Sequence, residues 1–190
     1  MFSLASNNPY FLQKYFKYIE DIIDMVNIEV EQDGIYIKTM DSSHTSFIDS
    51  FIDKDDFSIY NFTKSCTLGI NIKNLCKILN IISKNDTINI SVGNHSDIID
   101  ITLSNNYRTT HYELKLMTID TDNLSIPSID YEQEIEISVS RLNQICNEIN
   151  TVESETIEFN MVIGNNVSMK GNGDLGSVTT ILNESSTIGK

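Results

Sequence analysis

Leu68–Val92, LGINIKNLCKILNIISKNDTINISV, packs a strand, a helix and a second strand into one short run. Leu75, Leu79 and Ile82 recur at helical spacing, which marks one buried stripe, while Ile88, Ile90 and Val92 alternate with polar residues as a half-buried strand does. The same order occurs on either side. Phe2–Gln32 reads as strand, helix and strand with Leu12, Phe16, Ile19, Ile23 and Val26 inward. From Glu134, EIEISVSRLNQICNEINTVESETIEFNMV repeats it: strand residues Ile135, Ile137 and Val139, helix positions Leu142, Ile145 and Ile149, then Ile157, Phe159 and Met161. The three starts, at 2, 68 and 134, are 66 residues apart each time. Equal spacing of a composite pattern marks an internal repeat far more specifically than any single match.

Between the repeats lie period-two strands separated by turn residues: GIYIKTM after Asp33-Gly34, SFIDSFI, SIYNF, DIIDITLSN, HYELKLM, NVSMK and SVTTILN. Each unit is therefore one helix with several antiparallel strands, an α+β composition. One helix covers little sheet, so two units are expected to pair into a domain with both helices on the same face. This places a first domain at residues 1–117. Residues 118–133, TIDTDNLSIPSIDYEQ, carry Pro127, four acids and no period, and read as a connector. Residues 134–190 begin a second domain with a single unit.

The chain has 190 residues, 40% of them hydrophobic, enough to bury real cores. No run reaches the roughly 18 apolar residues of a membrane span, and the N-terminus has no basic leader followed by an apolar block; an intracellular protein is expected. Cys66, Cys76 and Cys146 are odd in number and form no CxxC pair, so they read as reduced thiols. The formal charge is -14, yet Phe57–Asn85 holds four lysines (Lys64, Lys73, Lys77, Lys84) and no acid, leaving -18 on the other 161 residues. One basic element in an acidic body suits a protein that meets phosphates with one face only.

Two motifs suggest enzymology and fail on context. Gly171, Gly173 and Gly176 spell GxGxxG, but a strand pattern follows where dinucleotide binding needs a helix to start. Asp41, Ser42, Ser43 and His44 have the residue types of a hydrolytic triad, yet four consecutive positions do not line up as orienter, base and nucleophile. His95 and His111 lack neighbouring ligands at metal spacing. No catalytic residue, metal or cofactor is expected.

The run Met40–His44, set in GIYIKTMDSSHTSF, resembles the sliding clamps of eukaryotes and their viruses, the proliferating cell nuclear antigen family. LGINIKNLCKIL, YELKLM, LSIP, RLNQIC and GDLG match in the same order, extending the likeness to about residue 182. It implies DNA-clamp (processivity-fold) domains in a closed homotrimer that encircles duplex DNA and tethers DNA polymerase, a clamp loader and other replication and repair proteins. Location would be the nucleus or an intracellular viral replication site, with no membrane. Helix lysines would hold DNA through non-specific, salt-dependent phosphate contacts: Lys14 and Lys17 on one helix, and Lys73, Lys77 and Lys84 along one face of another. Glu20, Asn80, Gln144 and Asn147 stand where typical members are basic, so this contact is expected to be weak. The likeness also implies a dock for partner peptides carrying a glutamine, a spaced aliphatic and two aromatics, at Met40, His44, Leu124, Ile126 and Pro127. An alternative is a non-encircling module that keeps the dock and titrates clamp partners.

Ring closure, by the same likeness, would pair His111–Leu116 with Ser177–Asn183 of a neighbouring subunit, with Tyr112, Leu114 and Leu116 on one side and Val178, Thr180 and Leu182 on the other. Two complete domains of this kind need four units, about 264 residues, whereas three are present, as in a fragment or a shortened variant. Ordering SVTTILN in a half-built sheet costs roughly 1 to 2 kcal/mol per residue, more than a few strand hydrogen bonds of about 1 kcal/mol each return. The 190-residue chain is accordingly expected to be a monomer or a mixture of weak oligomers. Light scattering behind a sizing column checks this, and a sharp trimer peak at micromolar concentration defeats it.

Overall fold

A computed structural model describes residues 2–93, 97–120, 135–162 and 166–182. The chain divides into two compact units, Met1–Ser125 and Ile126–Lys190, the division falling inside the expected connector. No helix among the described residues is long and apolar enough to cross a membrane.

In the first unit the elements run β1 (Phe2–Ser6), α1 (Tyr10–Glu20), β2 (Met25–Val30), β3 (Gly34–Met40), β4 (Phe47–Asp53), β5 (Ile59–Phe62), β6 (Cys66–Asn71), α2 (Ile72–Leu79), β7 (Thr87–Val92), β8 (Ile98–Ser104) and β9 (Thr109–Lys115). They form a five-stranded sheet, β5-β1-β7-β8-β9, and a four-stranded sheet, β4-β3-β2-β6. The repeats close on each other reciprocally. The strand before each helix pairs antiparallel with the strand after the other helix: β1 with β7, Phe2 opposite Val92, and β6 with β2, Asn71 opposite Met25.

The two helices lie side by side, and Gln13 of α1 donates through Nε2 to the Leu79 carbonyl at the end of α2, 2.9 Å away. Leu12, Phe16 and Ile19 of α1 and Leu75, Cys76 and Leu79 of α2 point into one core with Leu4, Ile37, Ile70, Ile88 and Ile101. Helix α2 starts where Asn71 Oδ1 accepts from the Asn74 amide at 3.0 Å, satisfying one of the first-turn donors. Both helices are shorter than the apolar spacing suggested. Ile23 and Val26 are buried as expected, but beyond the end of α1, in the bend and in β2; Ile82 is likewise buried beyond α2.

The second unit holds α3 (Val139–Asn150), β10 (Glu158–Val162), β11 (Asn166–Gly173) and β12 (Gly176–Leu182), the strands in the order β10-β11-β12. Ile145, Ile149, Val167, Met169 and Leu182 form its core. The GxGxxG run is a hairpin, with Gly173 opposite Gly176, whose φ of +141° suits glycine. Two expectations need correction. The strand expected over Ile135–Val139 is not formed: residues 135–138 have no ladder partner among the described residues, and Val139, 74% exposed, opens α3 after Ser138 caps it. Phe159 does not close the core. It stands opposite the buried Met169, yet remains 57% exposed, because no described element covers that side.

One buried carboxylate fastens two loops of the first unit. Asp86, 1% exposed, accepts from the Ser83 amide at 2.9 Å, from Asn105 Nδ2 at 2.6 Å and from Arg108 Nη2 at 3.4 Å. The Ser83 amide, then Asn105 and Arg108, hold its carboxyl below the usual range against the effect of burial. A depressed folded pKa means that the stabilisation is complete above the unfolded value of about 3.9 and disappears as pH falls through the folded value. Asp86→Ala is expected to lower Tm by several degrees at pH 7 and by progressively less below about pH 4. Thermal melts across that range check it; a gap independent of pH would exclude the ionised form as the source.

Candidate functional site

Lys14 and Lys17 lie on α1, and Lys73 and Lys77 on α2, so the helix pair brings four of the five expected DNA-binding lysines onto one layer. Lys84 departs from the expectation. Helix α2 ends at Leu79, and Lys84 sits in the turn before β7 rather than on the helix face. The layer is also less positive than its lysines suggest. Lys17 Nζ lies 2.7 Å from Glu20 Oε2 and 3.8 Å from Asp21 Oδ1, and Lys73 Nζ lies 2.6 Å from Asp24 Oδ1. These acids, through the hydrogen bond first, push both ammonium pKa values up. Lys77 reaches only the neutral Asn74 Oδ1, at 3.4 Å, and Lys14 and Lys84 have no ion pair among the described residues.

Met40 and His44 border a cleft of about 520 Å3 in the same unit. Its apolar wall includes Ile22, 47% exposed, Met25, 49% exposed, Met40 and Ile119, and its rim carries Glu20, Asp21, Asp24, Asp41 and Asp120. Sequence reasoning missed Ile22 and Met25 because they continue the α1 pattern; they follow its last residue, Glu20, and turn outward. Leu124, Ile126 and Pro127 lie outside the described residues, as does His95.

The connector's start is placed by backbone. The Met117 amide donates to the Gly69 carbonyl at 2.9 Å, and Asn27 Nδ2 to the Ile119 carbonyl at 2.9 Å. A Cβ on Gly69 would run into the Met117 carbonyl oxygen, so the chain can cross β6 only at a glycine. A glycine inside the LGIN strand was the signal available for this crossing.

Across the cleft, Asp41 organises its own loop. Its carboxylate accepts from the backbone amides of Ser43 (3.3 Å), Thr45 (2.8 Å) and Ser46 (2.6 Å), and from the Ser43 hydroxyl. The Asp41 carbonyl accepts from the His44 amide at 3.0 Å, with His44 in the left-handed region at φ 57°. The carboxylate that a triad would need as orienter is therefore occupied with the loop backbone. The Ser43 hydroxyl, followed by the Ser46 amide, holds the Asp41 carboxyl far below the ordinary carboxylate range.

The remaining expected residues fall on sheet edges. β9 ends the five-stranded sheet and β12 the three-stranded one. Tyr112, Leu114 and Leu116 are half-buried against the first core; Val178, Thr180 and Leu182 turn toward α3, where Thr180 Oγ1 donates to Glu148 Oε2 at 3.2 Å. Asn183 is outside the described residues.

Because an ionised Asp41 is what binds the loop amides, protection of the Thr45 and Ser46 amides against hydrogen exchange is expected to persist well below pH 4, where ordinary carboxylates are protonated, and to vanish in Asp41→Ala. Amide exchange measured by NMR checks both; loss of protection near pH 4 would count against the loop's ionic origin.

Residues 1–124 match the family model for the N-terminal domain of proliferating cell nuclear antigen. A proliferating cell nuclear antigen of Plasmodium falciparum is 29% identical over 149 residues, covering 76% of this chain and 54% of its own. That of Chaetomium thermophilum is 27% identical over 182 residues (94% and 69%), and that of Dictyostelium discoideum 29% over 172 (88% and 66%). The chain thus spans from about half to about two thirds of the length of these relatives. The crystal structure of the Thermococcus kodakaraensis protein superposes with a TM-score of 0.87 at 20% identity, over 96% of this chain and 72% of that one, which shows the fold. With the matching model covering most of its length, the chain belongs to the proliferating cell nuclear antigen family.

Proposed function

We propose that this chain serves as part of a DNA sliding clamp, a processivity factor that encircles duplex DNA and holds DNA polymerase and other replication and repair proteins on it. Its role is mechanical, with no reaction at any site. The observation that carries the reading is the side-by-side packing of α1 and α2, which gathers Lys14, Lys17, Lys73 and Lys77 on one layer of an otherwise acidic protein. DNA is held by phosphate contacts without reading of sequence, and a closed ring rather than affinity retains it. With a fourth repeat unit the assembly is a homotrimer closed by β9 of one subunit against β12 of the next, and it works in the nucleus or at an intracellular site of viral replication.

Partner peptides dock in the cleft beside Met40 and His44, with Leu124, Ile126 and Pro127 as the connector's share. The half-exposed Ile22 and Met25 support this, since such apolar side chains gain from a covering partner. The pairing of Lys17 and Lys73 with acids favours a second reading, in which a non-encircling module keeps this dock and titrates clamp partners.

Anisotropy with a blunt duplex should show weak binding that falls steeply with salt. Lys77→Glu should weaken it several-fold on every sequence alike, and Asp24→Asn, by releasing Lys73, should strengthen it. Tight or sequence-selective binding at physiological salt would overturn the clamp. Calorimetry with a peptide of a glutamine, a spaced aliphatic and two aromatics should show Met40→Ala losing roughly tenfold in affinity, about 1.4 kcal/mol; unchanged affinity would place the dock elsewhere.

A further inference from the structure

Tyr107 is 96% exposed, the most open large hydrophobic side chain among the described residues, yet its backbone is firmly held. It stands at the tip of the β8–β9 hairpin, where Asn105 Oδ1 accepts from the amides of Tyr107 (2.8 Å) and Arg108 (3.0 Å), and the Asn105 amide donates to the Arg108 carbonyl at 2.9 Å. Asn105 and Arg108 are tied in turn to the buried Asp86, which also receives the Ser83 amide. The turn carrying Lys84 and the tip carrying Tyr107 and Arg108 are thereby fastened as one platform. It presents to solvent an aromatic ring and the ammonium of Lys84, which has no ion pair among the described residues; the Arg108 guanidinium is paired at 3.4 Å with Asp86, which lies underneath, 1% exposed.

We propose that this platform binds unpaired nucleotides of a DNA single strand adjoining the duplex. The proposal rests on the clamp reading for the presence of DNA nearby, since Lys84 continues the basic run that includes Lys77 on α2. The chemistry selects the ligand. A flat aromatic ring on the same fastened platform as an unpaired ammonium matches a base stacked on the ring and a phosphate of the same strand on Lys84. Base faces in a duplex are already covered by their neighbours, so a single projecting ring gains a partner only where a base is unpaired. An acidic peptide would use the Lys84 ammonium and leave the ring idle. The rigid mounting lowers the ordering cost of the contact.

The test measures anisotropy of the 190-residue chain with a blunt duplex and with the same duplex bearing a single-stranded thymidine tail, at low salt. Tyr107→Ala is expected to weaken binding of the tailed duplex roughly tenfold and leave the blunt one unchanged, and Lys84→Glu to weaken the tailed duplex more than the blunt one. Lys77→Glu should weaken both. If Tyr107→Ala leaves the tailed duplex unaffected while Lys77→Glu lowers both, the platform is wrong and the clamp reading stands. If only the Tyr107→Ala loss is seen, the platform stands and the helix lysines are the wrong DNA surface. The chain has no tryptophan, so Tyr107→Trp supplies a second readout. Its fluorescence should be quenched by oligothymidylate; quenching by an acidic peptide instead, or no quenching, overturns the proposal.

Discussion

The reciprocal pairing of β1 with β7 and of β6 with β2 is the constraint on which the first unit depends. Each sheet is completed across the repeats, because β1 pairs with β7 on one side and β5 on the other, and β2 with β6 on one side and β3 on the other. The pairing brings α1 and α2 together over the same core, and it puts β9 and β4 at the outer edges. The second unit shows the converse. Residues 135–138 correspond to β1, and β10 to β2, but the described residues supply nothing equivalent to β7 or β6. Without a ladder partner the first segment is not a strand, and Phe159 leaves unburied an apolar surface whose burial contributes about 1.5 to 3 kcal/mol elsewhere.

The same helix packing sets the electrostatics. An ammonium paired with a carboxylate at the surface gains little stability, so the pairs Lys17–Glu20 and Lys73–Asp24 matter more for what they remove from the layer than for what they add to the fold. A net charge of -14 repels DNA over most of the surface. On the proposed reading a weak contact is compatible with a clamp, because a closed ring would not rely on affinity to stay on DNA.

Most of the first unit was legible from periodicity. Leu12, Phe16, Ile19, Leu75, Leu79, Ile88 and Ile90 are buried as their spacing required, since core burial is what the pattern encodes. Helix ends were less legible. Ile23 and Ile82 prolong the apolar stripe past the last helical turn, as a buried bend uses the same side chains as a buried helix. The strand at Ile135–Val139 was misread for a different reason: alternation reports a capacity to pair, and pairing needs a partner at the right register. Of the site, the lysine layer and Met40 could be read from order along the chain. Ile22 and Met25 could not, because they continue the apolar pattern past the end of α1 and turn outward, and the Asn27–Ile119 contact could not, because it depends on where a later segment crosses an earlier strand.

That crossing also explains how the cleft is built before any partner arrives. One side is the Asp41 loop, whose amides are bound by a single carboxylate; another is the segment from Met117 to Ile119, attached to β6 and β2 through a carbonyl and an amide side chain. Both attachments are to backbone, so the side chains of Met40, His44 and Ile119 are left available to the cleft. Ile22, in the α1–β2 bend, and Met25, at the start of β2, line its apolar wall, and the reciprocal pairing of β2 with β6 holds them in register. The cleft is thus a product of the same strand exchange that aligns the helices, and a change that loosened β2 from β6 would disturb the lysine layer and the cleft together.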